Sequence, residues 1–152
     1  MARFSDLRAA LKQEPAFDTT IPRALLTPAV IASTADGEID DAEILQLRNL
    51  IVFNPTFHGM AEQDLDTLTN SIVDALMMDG REVVLKACVE ALPGALYQTA
   101  FSFAVFVVMA DGVLADREQS VLAEIAAAMN LRPQAVERIC HVIRTMQYTA
   151  EI

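Results

Sequence analysis

Residues 35–43 read Ala35-Asp36-Gly37-Glu38-Ile39-Asp40-Asp41-Ala42-Glu43, and 75 residues later the chain reads Ala110-Asp111-Gly112-Val113-Leu114-Ala115-Asp116-Arg117-Glu118. Each copy follows an apolar stretch and opens a segment with helical periodicity, so each marks a joint between two helices. Ala, Asp, Gly, an aliphatic residue, Asp and Glu recur at matching offsets. The recurrence predicts a duplicated helical unit. The fold class it implies is all-α, a compact bundle of seven to eight helices with an internal pseudo-twofold repeat.

Working outward from the two turns, the apolar residues fall at three- and four-residue steps. An amphipathic stretch from about Ser5 to Gln13 is followed by a helix from near Pro22 to Thr34, with Thr20 as its expected cap and Pro28 as an expected kink. After Asp40, Ile44, Leu47, Leu50 and Ile51 are expected inward. A helix over about Ala61 to Met78 carries Leu65, Leu68, Ile72 and Leu76, and the next carries Val83, Val84, Ala87, Cys88 and Ala91. Pro93 opens a helix that is apolar nearly all round from Leu96 to Met109, the expected buried centre. Beyond the second turn, Val121, Leu122, Ile125 and Met129 form one stripe, and Val136, Ile139, Cys140, Ile143 and Met146 another. The chain reads as one domain over residues 1–152, with an N-terminal helix within 1–20, a first repeat over 21–92 and a second over 93–148.

Composition removes several function classes. The chain is 53% hydrophobic but only 6% aromatic, and five glycines and six prolines are too few to punctuate many short strands. A formal net charge of −10 argues against binding nucleic-acid phosphates or an anionic membrane surface. Cys88 and Cys140 form no CxxC pair and sit at apolar helical positions, which predicts buried free thiols. No apolar run is long enough to span a bilayer and the N-terminus lacks a signal-peptide core, so a cytoplasmic location with no transmembrane segment is expected.

The acidic turns carry the chemistry. Asp-Gly-x-(Ile or Leu)-x-x-x-Glu is the second half of an EF-hand loop, with Asp at the fifth position, Gly at the sixth and Glu at the twelfth. The first and third positions are Ala32 and Thr34 in one copy and Val107 and Met109 in the other, so neither is an EF-hand. If the turns lie side by side, Asp36, Glu43, Asp111 and Glu118 form an oxygen-rich set suited to calcium, magnesium or manganese, with Asp40, Asp41 and Asp116 as supplements. Structural roles account for the same residues. Asp-Gly is a common helix stop, and Asp40-x-x-Glu43 is a capping box with Ile39 as its staple. Ala115 replaces Asp40 in the second copy, so capping explains Glu43 better than Glu118.

The repeated Ala-Asp-Gly phrase, on helical joints of an acidic chain of this length, resembles the tellurite-resistance TerB family and its TerB-like relatives. The likeness extends from about Pro22 to Met146, and its specific part is the two turns. It implies a compact helical fold with a pseudo-symmetric repeat, a role in tellurite or metal stress response, and a metal-binding acidic cluster at Asp36, Glu43, Asp111 and Glu118. The departure is Ala115 where Asp40 stands in the first copy.

Other chemistry is thin. His58 lies in a Pro- and Gly-containing loop, and His141 follows Glu137 by four residues rather than the three of a di-iron helix. No phosphate loop, nucleophile elbow or HExxH occurs, and Ser71, Ser102 and Ser120 have no nearby base. The leading reading is a non-catalytic domain that binds a divalent cation at the paired turns. The alternative is an interaction module whose acidic face docks a basic protein partner. A homodimer through apolar residues on the outer helices is also open.

Overall fold

The computed structural model describes residues 18–35, 37, 40–110 and 114–148. Among them, seven α-helices follow in order: α1 (Thr20–Ser33), α2 (Asp41–Phe53), α3 (Glu62–Asp79), α4 (Arg81–Ala91), α5 (Tyr97–Val108), α6 (Asp116–Ala128) and α7 (Pro133–Met146). Short 3₁₀ turns at Pro55–Phe57 and Gly94–Leu96 precede α3 and α5. No strand occurs among the described residues. The amphipathic stretch expected at Ser5–Gln13 lies outside them.

Helices α1 and α5 form the axis of the fold and pack on each other more extensively than any other pair. Their sequences explain why. From Ala24 to Ser33 every residue of α1 is buried. In α5, Ala100, Phe101, Ala104, Val105 and Val107 are fully enclosed. Alanines in both helices are small enough to permit close approach, and the larger apolar side chains fill the remaining core volume. Phe103 meets Phe57 from the first 3₁₀ turn, with ring centroids 6.3 Å apart. Helices α3 and α4 cover α1, α7 covers α5, and α6 packs on both.

Pro28 neither splits nor ends α1, which runs unbroken through it. Its missing N–H leaves the carbonyl of Ala24 without the usual helical donor. The thiol of Cys88 on α4 donates to that carbonyl at 3.1 Å. Burial pushes the Cys88 thiol up to about 12, so it stays protonated and keeps its donor. The start of α1 also differs from expectation. The cap position is Thr19, which makes no side-chain cap bond, and Asp18 Oδ1 instead accepts from the Thr20 N–H at 3.0 Å.

The phase of two outer helices is rotated from the sequence reading. In α4 the buried face is Val84, Leu85 and Cys88, while Val83, Ala87 and Ala91 face outward. In α2, Ile44 is exposed. Pro93 precedes the second 3₁₀ turn rather than opening α5 itself. Methionine use is divided: Met109 and Met129 fill the core, whereas Met77, Met78 and Met146 are exposed. No single helix among the described residues is long and apolar enough to cross a membrane.

Candidate metal centre

The first acidic turn is built from backbone hydrogen bonds. At the end of α1, the Thr34 N–H donates to Val30 O at 3.0 Å and the Gly37 N–H to Thr34 O at 2.9 Å. Gly37 has φ +99°, a conformation in which a β-carbon is strained, which is why glycine closes the turn. Asp40 then caps α2 in extended geometry. Its Oδ1 accepts from the Glu43 N–H at 2.8 Å, and Glu43 Oε2 accepts from the Asp40 N–H at 3.1 Å. The expected capping box is therefore present. Asp41 and Glu43 also place negative charge where the helix dipole favours it.

Capping does not require the burial seen at Glu43. The residue is only 7% exposed and heads a stripe continued by Leu47, Leu50 and Ile51. It takes the inward place that sequence reasoning assigned to Ile44, which is 37% exposed. The signal was present in the spacing, since residues 43, 47, 50 and 51 fall on one helical face.

The same arrangement recurs after the second turn. Glu118 is half-buried, its Oε2 is shielded from solvent, and it heads a stripe continued by Leu122, Ile125 and Ala126. Each member stands 75 residues after its counterpart in α2. Ala115 occupies the cap position with extended φ −67° and ψ 154°, and its own side chain makes no cap bond. The two turns therefore place a glutamate alike but begin their helices differently.

Of the four expected ligands, Glu43 and Glu118 are placed on the first turns of α2 and α6, while Asp36 and Asp111 lie outside the described residues. The supplements Asp40, Asp41 and Asp116 are all exposed. The packing of the surrounding helices is crossed. Helix α1, which leads into the first turn, packs on α6, and α5, which leads into the second, packs on α2. Among the described residues, no three His, Cys, Asp or Glu side chains are grouped so as to hold a metal. His58 and His141 are exposed.

The chain matches the model of the family described as tellurite resistance protein TerB over residues 23–141, a span that contains both acidic turns. No curated protein and no solved structure matches it.

Proposed function

The chain belongs to the tellurite resistance protein TerB family, and on that premise we propose that it is a non-catalytic helical domain binding a divalent cation at its acidic turns in a tellurite or metal stress response. The ligands in this reading are Asp36, Glu43, Asp111 and Glu118, two from each acidic turn. The observation that carries it is the matched inward placement of Glu43 and Glu118 at the heads of two buried stripes. Turning a carboxylate toward an apolar interior is costly unless it meets hydrogen bonds or a cation. At Glu118 the cap residue is an alanine, yet the glutamate takes the same position. Hard oxygen donors favour calcium, magnesium or manganese. Tellurite itself is an anion, and these carboxylates repel it.

The test is calorimetric titration of metal-stripped protein with calcium, magnesium, manganese and zinc, beside an Asp36→Ala/Asp111→Ala variant and a Glu43→Gln/Glu118→Gln variant. The glutamine amide oxygen still accepts the backbone N–H, so the second variant keeps the cap and loses the charge. Saturable binding that disappears in both folded variants supports the site. A folded wild-type protein that binds none of the four ions sinks the proposal and leaves the turns as helix caps.

A further inference from the structure

Charge is unevenly distributed over this acidic molecule. From Arg132 to Met146 the sequence holds three arginines and a single glutamate, in a chain of net charge −10. Two of these arginines face a common recess. It lies between α5, the α6–α7 loop and the start of α7, and has a volume of about 580 Å³. Its polar walls are Gln98, Asn130, Arg132, Gln134 and Arg138, and no carboxylate lines it among the described residues.

The loop that builds the recess is closely defined. Asn130 adopts φ +53° at the end of α6, a left-handed conformation that asparagine tolerates better than most residues. Its N–H donates to Ala127 O and the Leu131 N–H to Ala126 O, each at 3.0 Å. This tight reversal delivers Arg132 to the cap position of α7, on the wall it shares with Arg138. Ion pairs among the described residues use Arg48 and Arg81 only. Arg132 and Arg138 thus present their guanidinium groups without a carboxylate partner among those residues. Glu137, the only acid on α7, lines a different recess with Arg138, His141 and Arg144.

We propose that the recess formed by Gln98, Asn130, Arg132, Gln134 and Arg138 binds a small oxyanion of the phosphate or tellurite kind. Guanidinium groups donate paired, charge-assisted hydrogen bonds to such oxygens. The amides of Gln98, Asn130 and Gln134 add neutral donors around the same space. The site is independent of the cation reading, and it gives an anion a place in a molecule whose acidic turns repel one.

The experiment is a chemical-shift titration of the full chain with inorganic phosphate at constant ionic strength, using chloride as the balancing anion. A parallel arm titrates tellurite into a Cys140→Ser variant, so that thiol chemistry is not read as binding. Saturable shifts are expected at the amides of residues 98, 130, 132 and 134 in at least one arm, and the arm that saturates identifies the oxyanion. Arg132→Ala/Arg138→Ala weakens binding at least about tenfold, the loss expected from removing charged hydrogen bonds. Arg48→Ala/Arg81→Ala removes the same charge elsewhere and leaves binding unchanged. Absence of saturation in both arms overturns the proposal. So does equal weakening in the two double variants, which would mean a general charge effect.

Discussion

Replacing Cys88 tests whether a thiol completes the hydrogen-bond ladder of a helix on another element. Cys88 is 5% exposed and its Sγ–H reaches Ala24 O, the carbonyl that Pro28 leaves without a helical donor. Cys88→Ala removes a buried sulfur and strands that carbonyl. The lost contacts cost about 1 kcal/mol, and an unsatisfied buried acceptor adds roughly 1–2 kcal/mol. A total of about 2–3 kcal/mol is expected in urea unfolding, seen as a lower midpoint at unchanged slope. Pro28→Ala restores an N–H at position 28, which reaches the same carbonyl from within α1. In that background Cys88→Ala should lose only its packing contribution. The double-mutant cycle should therefore show a coupling of about 1 kcal/mol or more. If the two costs add to within about 0.3 kcal/mol, the thiol is not serving that carbonyl and the reasoning fails.

Three further outcomes are expected. Because burial raises the Cys88 thiol from 9.0 to about 12, its contribution to stability is fully present below pH 9 and is lost as pH rises toward 12. In that window wild-type stability should fall more steeply than that of Cys88→Ser, which keeps a donor but does not titrate there; parallel curves would contradict the assignment. Ala115→Asp supplies the cap bond that the Ala115 side chain does not make, in already suitable backbone geometry, and should stabilise by about 0.5–1 kcal/mol in denaturant unfolding. Phe101→Ala, at a fully enclosed ring on the central helix, should cost about 3–5 kcal/mol, and a cost below 1 kcal/mol would mean the core is not packed around it.

What could be read from sequence depended on how local its cause was. The central helix was legible because an all-round apolar segment has no face to misjudge, and Phe101, Ala104 and Val105 are all enclosed. The Asp40–Glu43 box was legible because it closes within one turn. Helix phase was harder. Ile44 is more apolar than Glu43, yet the direction of the core puts Glu43 inside. Val83, Ala87 and Ala91 likewise lost their places on α4 to Leu85, since a mostly apolar short helix admits more than one inward face. The partnership of Cys88 with Ala24 spans 64 residues and has no local signature. Asp36 and Asp111 remain expectations from motif alone.

The pairing of α1 with α5 has a consequence for how the chain is made. Leu26 on α1 and Phe101 on α5, both fully buried, stand 75 positions apart. At a synthesis rate of about 5–20 residues per second, α1 leaves the ribosome roughly 4–15 s before its partner. During that interval the face of α1 that α5 covers stays open, although α3 and α4, made before α5, can already cover other faces. The segment from Ala24 to Ser33 is therefore the part of the protein on which a holding chaperone would act first.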